Sequence, residues 1–189
     1  MRQDPGVTRP SIAQPPSITR CCPEPPEAST IDDVDIRRVE AEVTRPLRHS
    51  VLRPHQDPAE LVYPGDDLPE TWHGAVLEKG RAIGTASMYR EGHPNLPPAF
   101  SWRLRGMAVA PEWRGRGLGT ALLAAALEHV ESIDDQGVWC NARTPAVAFY
   151  QRHGFRTVGD EFEPPDIGPH FLMIRPGSRT DEFAGRSPG

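Results

Sequence analysis

Lysine is nearly missing from this chain of 189 residues: of 21 basic residues only Lys79 is a lysine, and the rest are arginine. With 26 acidic residues against them, the formal net charge is -5. The broad cationic surface that general nucleic-acid binding requires is therefore not expected. The arginine bias reads as the mark of a G+C-rich bacterial genome and carries no function. Long apolar runs are missing too. The longest, Ala121 to Leu127, falls far short of the roughly 20 residues of a membrane span. The opening stretch MRQDPGVTRPSIAQPPS has no apolar core of a secretory signal. Cysteine is scarce, at Cys21, Cys22 and Cys140. Two adjacent cysteines do not form an ordinary structural disulfide, and without a C-x-x-C pair the set does not read as zinc ligands. Free thiols in a reducing cytoplasm are expected, and no metal.

What is present falls into three parts. Residues 1–32 are rich in Pro, Ser and Thr and have no apolar periodicity, so they read as a disordered tail. Residues 176–189 read as a second loose tail. Every periodic segment lies in 33–175, enough for one domain with its own core. There, VDIRRVE (34–40) alternates as a strand. TRPLRHSVL (44–52) predicts a helix with Thr44 as N-cap and Pro46 in its first turn. Residues 71–90 predict a hairpin turning at Lys79-Gly80. FSWRLRGMAVA (100–110) is a strand, and LGTALLAAALEHVE (118–131) a helix burying Leu123, Ala126, Leu127 and Val130. GVWCNA (137–142) is another strand. TPAVAFYQRHG (144–154) is a short helix with Thr144 as N-cap and Gly154 as C-cap. FRTVGDEF and HFLMIR close the domain as paired strands. This order implies an α/β chain with helices packed on a mixed sheet.

The stretch PEWRGRGLGT (111–120) stands between a strand and a helix, with glycine at 115, 117 and 119. Glycine there lets a backbone approach a ligand closely. Exposed amides at a helix N-terminus bind phosphate, aided by the helix dipole. Arg114 and Arg116 add charged donors. The dinucleotide spacing G-x-G-x-x-G or -A fails from both Gly115 and Gly117, and a Walker loop fails for want of its lysine. What remains is Arg114-x-x-Gly117-x-Gly119 directly after a strand. A flexible turn that needs glycine only for its backbone angles is the alternative.

On these residues the chain resembles the GNAT superfamily of N-acetyltransferases. LRGMAVAP, EWRGRGLGT and the following helix match that family's acyl-CoA signature, Arg/Gln-x-x-Gly-x-Gly/Ala, and the resemblance extends over about 33–175. CNARTPAVAFYQRHGF is similar to the family's fifth strand and next helix. DEFEPPDIGPHFLMI is similar to a small bacterial ElaA-like branch that reads Ile-Pro-His-x-x-Met, with Gly168 here in place of Ile. The resemblance implies a mostly antiparallel sheet of six to seven strands, a splayed central parallel pair and about four flanking helices. It implies acetyl-CoA as acyl donor. Pantetheine would pair with the strand backbone at Met107, Ala108 and Val109, with the strand's irregularity at Gly106. The pyrophosphate would rest on Arg114, Gly115, Arg116, Gly117, Leu118, Gly119 and Thr120. Asn141 would orient pantetheine or cap the strand end. The Val109 amide would meet the oxyanion, and Tyr150 would protonate the leaving thiolate.

The acceptor would be a primary amine of a small molecule or peptide, which must lose a proton before it attacks. Candidates for that base are His49, His73, Glu112 and His170; the last starts the final strand and is the one carried forward. Asp66 and Asp67 in DPAELVYPGDDLPE either hold a cationic acceptor or are solvated loop acids, the second being the expectation. A cytoplasmic N-acetyltransferase is thus expected, with neither nucleic acid nor membrane as partner. A GNAT-fold protein that binds acyl-CoA without turnover, and a nucleotide-binding domain using the same loop, are the rivals. Oligomeric state is not written in the sequence.

Overall fold

A computed structural model describes residues 35–178. The predicted tail 1–32, Cys21 and Cys22, and positions 179–189 lie outside the described residues. Within them the chain forms one seven-stranded sheet. Strand β1 (Ile36–Arg38) and helix α1 (Ala41–Leu52) lead to the hairpin of β2 (Trp72–Glu78) and β3 (Arg81–Arg90). Then come β4 (Trp102–Val109), α2 (Leu118–Ile133), β5 (Val138–Arg143), α3 (Val147–Arg152), β6 (Arg156–Phe162) and β7 (His170–Arg175). Short 3-10 turns sit at Pro58–Leu61, Pro111–Trp113 and Thr144–Ala146.

The strand order is β1-β2-β3-β4-β5-β7-β6. Every neighbouring pair is antiparallel except β4 and β5. Those two pair only at Trp102↔Val138 and Arg103↔Trp139, at their N-terminal ends. Beyond that point each strand runs on unpaired to the other, and the sheet opens into a cleft. This is the splayed parallel pair that the resemblance implies.

The hairpin turns at Lys79-Gly80 as expected, and α2 buries Leu123, Ala126, Leu127 and Val130 together with Leu118 and Leu122. These side chains meet Met88, Trp102, Leu104 and Met173 in the main core. Two helix starts differ from expectation. Thr44 does not cap α1, which begins at Ala41 after Glu40. Ala41, Thr44, Leu47 and Arg48 form one buried stripe, and burying it extends the helix past the local cap signal. The Thr44 hydroxyl donates back to the Ala41 carbonyl at 2.7 Å. Thr144 does not cap α3 either; it opens a 3-10 turn, and its hydroxyl donates to Glu161. The C-cap of α3 is His153, one residue before the Gly154 expected, and Gly154 follows it at φ 83 with its amide donating to the Gln151 carbonyl.

Candidate active site

The cleft between β4 and β5 is an open cavity of about 370 Å³. Its shape originates at Gly106. Thr85 pairs with Ala108 and Ser87 with Arg105, so Gly106 and Met107 together oppose Ala86 alone, which is a β-bulge. Gly106 takes φ +64, and a Cβ there would stand 2.7 Å from Nε of Arg48. Only glycine serves at this position, because the backbone is left-handed and the helix α1 guanidinium lies directly against it. Past the bulge the Ala110 amide donates to the Ile83 carbonyl, toward β3. Alternation then aims the backbone of Ala108 at β3 and that of Met107 and Val109 at the open side. Arg114 reaches back to donate to the Val109 carbonyl at 3.2 Å.

The glycine loop lies at the C-terminal end of β4. Gly117 is the N-cap residue of α2 with φ 79 in the left-handed region. No side chain caps this helix and no acid stands in its first turn. The Ala121 amide is the first to bond within the helix, to the Gly117 carbonyl. The amides of Leu118, Gly119 and Thr120 are therefore left to an outside acceptor. Arg114, Gly115, Arg116 and Thr120 are exposed, and Arg116 covers the ring of Trp113. Gly119 packs beside Phe149 of α3 and the Met107 side chain, which ties the loop to the cleft.

Tyr150, Asn141 and His170 all line the cleft. Tyr150 is buried on α3, and its hydroxyl lies 3.5 Å from the sulfur of Met107. Burial pushes its phenol well above the usual tyrosine range, and the neighbouring Cys140 adds to this. The phenol therefore keeps its proton at any working pH. Asn141 is exposed, pairs across to Leu172 of β7, and makes no side-chain hydrogen bond among the described residues. It does not cap the strand end.

Among the four base candidates, His170 alone lines this cavity. It is buried, and its Nδ1 lies 2.7 Å from the Gly168 carbonyl. A carbonyl only accepts, so Nδ1 carries a proton, and in the neutral ring the lone pair is the one on Nε2. Gly168 holds φ +75. The departure from the ElaA-like pattern thus supplies a tight left-handed turn whose carbonyl orients the imidazole. His49 instead donates from Nε2 to the Gln56 carbonyl at 2.9 Å and fastens the loop after α1. Glu112 is exposed on a 3-10 turn. His73 is buried and satisfied, its Nε2 donating to the Asp66 carbonyl and its Nδ1 accepting from Ser87 or Arg48. Burial holds its pKa below 6.5.

Asp66 is not the solvated loop acid its context predicts. It is buried and accepts two bonds from Nη1 of Arg48, at 2.8 and 3.1 Å. The Tyr89 hydroxyl and the Tyr63 amide also donate to it. Burial alone would raise this carboxyl, but the Tyr89 bond and the Arg48 charge outweigh it and hold the carboxyl below the usual range. Asp67 is exposed and pairs with Arg45. A further set of residues escaped the sequence reading: Arg53, Arg103, Arg105 and Arg143 all line the cleft. The alternation in WRLR puts Arg103 and Arg105 on the polar face of the strand just before the bulge, and gives no sign that this face lines a cleft.

Among the described residues no cluster of His, Cys, Asp and Glu can hold a metal ion. No described helix is long and apolar enough to cross a membrane. The acetyltransferase (GNAT) domain model matches residues 70–157. An uncharacterised N-acetyltransferase of Bacillus subtilis, YitI, is 32% identical over 142 residues, covering 75% of this chain and 95% of that one. Among solved structures, Escherichia coli ElaA superposes with a TM-score of 0.61 at 19% identity, covering 75% of this chain and 98% of that one. An aminoglycoside 6'-N-acetyltransferase complexed with coenzyme A gives 0.57 at 16% identity, covering 75% and 96%. At these identities the two structures attest the fold alone.

Proposed function

The chain belongs to the GNAT acetyltransferase family, and from that kinship we propose that it is an acetyl-CoA-dependent N-acetyltransferase acting on a primary amine by direct attack. The observation that carries this reading is the divergence of β4 from β5 beyond Arg103/Trp139, with an uncapped glycine loop at one end of the cleft and the Tyr150 hydroxyl inside it. The free side of β4 at Met107 and Val109 offers backbone groups to the amides of pantetheine. The three unpaired amides of Leu118, Gly119 and Thr120, beside Arg114 and Arg116, suit a pyrophosphate. Asn141 has an unengaged amide that can hold the pantetheine arm.

The chemistry then divides among three groups of this chain. His170 Nε2 takes the proton of the attacking amine, whose ordinary pKa of ~10.4 otherwise keeps it charged. The Val109 amide donates to the oxyanion as the amine nitrogen bonds the thioester carbon. Tyr150 gives its proton to sulfur as the carbon–sulfur bond breaks, the second proton on the nitrogen of the tetrahedral adduct passes to solvent, and a protonated His170 restores Tyr150 through solvent. A phenol near pKa ~10 or above can still protonate a developing thiolate while never competing with it as an anion at neutral pH. The test is calorimetry of acetyl-CoA binding together with mass spectrometry of amine acetylation over a panel of acceptors. Binding with product formation is the expected result. Tight binding without any product would leave a coenzyme A sensor, and no binding would overturn the reading.

A further inference from the structure

The cleft is cationic in its lining. Arg53, Arg103, Arg105, Arg143 and His170 line it, and no Asp or Glu does so among the described residues. Three of the arginines are already engaged. Arg103 pairs with Glu91 at 2.7 Å and covers the Trp139 ring. Arg143 donates to the Leu52 carbonyl, and Arg53 to Gln56. Arg105 differs. Its guanidinium lies over the ring of Tyr63 at 3.8 Å and near that of Tyr89 at 5.7 Å, with neither an ion pair to a carboxylate nor a hydrogen bond among the described residues. The two phenols fix its position and leave its N–H donors unused. Burial and the like charge of Arg103 both lower its pKa. Arg103 and Arg105 are two apart on one strand and so share a face. Among the described residues Glu91 is the one carboxylate beside the two, and it is paired with Arg103, so an incoming anion at Arg105 would offset the remaining charge.

Arg105 is not placed for the phosphates. Arg105 lies four residues before Val109, about 13 Å along the strand, and the loop with its own Arg114 and Arg116 follows beyond that. On the acyltransferase reading, on which this inference rests, the acceptor amine meets the thioester near Val109, and the remainder of the acceptor extends along the cleft toward Arg105. We infer that the acceptor is an amine that also carries an oxyanion group, which Arg105 binds. A carboxylate or a phosphate fits the flat fork of donors equally. A polyamine or aminoglycoside would bring several positive charges into a cavity lined by guanidinium groups, and is selected against.

The test compares matched acceptors with saturating acetyl-CoA. Glycine and glutamate are set against their amides, phosphoethanolamine against ethanolamine, and all of these against spermidine and kanamycin. At least one anionic member should exceed its neutral partner by roughly ten- to hundredfold in kcat/KM, as expected of a charged hydrogen bond worth ~1.5–3 kcal/mol. Which pair shows the preference tells carboxylate from phosphate. Arg105→Gln should abolish the preference through the acceptor KM while leaving the acetyl-CoA KM unchanged, and Arg105→Lys should keep part of it. Preference for neutral or cationic amines, or a preference that survives Arg105→Gln, overturns the inference and leaves the acyltransferase reading intact. Should no amine turn over, calorimetry of the same amines on the chain loaded with coenzyme A reads the preference directly, and equal or absent binding refutes it. Failure to bind acetyl-CoA removes the acyltransferase reading and the acceptor inference with it.

Discussion

Replacing Asp66 by asparagine removes one charge and almost no volume, which makes it a clean perturbation of the buried network beneath the cleft. Arg48 and Asp66 have no exposed side-chain surface. Nη2 of Arg48 also donates to Ser87 at 2.6 Å and lies 3.2 Å from the Tyr89 hydroxyl. An asparagine would keep one acceptor oxygen and turn an N–H toward a group that already donates. The guanidinium would then be buried without an anion. Breaking a buried pair from one side costs about 3–5 kcal/mol, a large fraction of the roughly 5–15 kcal/mol that holds a domain folded. At about 2–4 °C per kcal/mol for a chain of this size, Tm should fall by roughly 6–20 °C. Urea unfolding followed by tryptophan fluorescence measures this, and the m-value should stay constant. The double variant Asp66→Leu with Arg48→Met should recover most of the loss, because an apolar pair of similar size carries no desolvation penalty.

The pH dependence has a fixed sign. Both Asp66 and His73 have folded pKa values below their ordinary 3.8 and 6.5. Each therefore contributes stability that is complete above its ordinary value and is lost as pH falls through the depressed one. The wild-type Tm should decline first below about 6.5 and again below about 3.8. Asp66→Asn should weaken the second decline and leave the part contributed by Asp134, which is also held below 3.8. A loss below ~1 kcal/mol with an unchanged acid limb would mean that water solvates this pair, and the argument for a dry network would fail.

Three further outcomes test the site itself. Tyr150→Phe should bind acetyl-CoA as the wild type does while kcat falls by ~10²–10⁴-fold; full kcat with a lowered Tm would make Tyr150 a packing residue only. His170→Gln should lower kcat while acetyl-CoA affinity holds, whereas an unchanged kcat would return the role of base to solvent. Gly117→Val forces a β-branched residue to φ 79 at the N-cap of α2, so acetyl-CoA affinity should drop at least roughly tenfold (~1.4 kcal/mol) with helix content by circular dichroism retained, and undiminished affinity would exclude the loop from binding.

How far the sequence reveals this molecule depends on the range of the interaction concerned. The Lys79-Gly80 hairpin, the α2 stripe and the glycine loop are written in spacings of a few residues, so each is legible locally. Arg48 and Asp66 are eighteen apart, on a helix and on a loop. Nothing near Asp66 distinguishes it from a solvated turn acid, since its partner arrives only when α1 folds down onto the sheet. Arg103 and Arg105 are harder still. Trp102, Leu104 and the arginines between them alternate buried and partly exposed, the pattern of any strand with one face in the core and one in water. That alternation correctly assigns the two faces and misassigns what the second one meets. Here the polar face is roofed by α1 and by the loop carrying Tyr63, and it opens sideways because β5 has left β4. A guanidinium placed for solvent by its own strand thereby becomes the lining of a cleft. The acceptor side of the site is a product of strand divergence, a property of two segments more than thirty residues apart, which no local pattern in either one encodes.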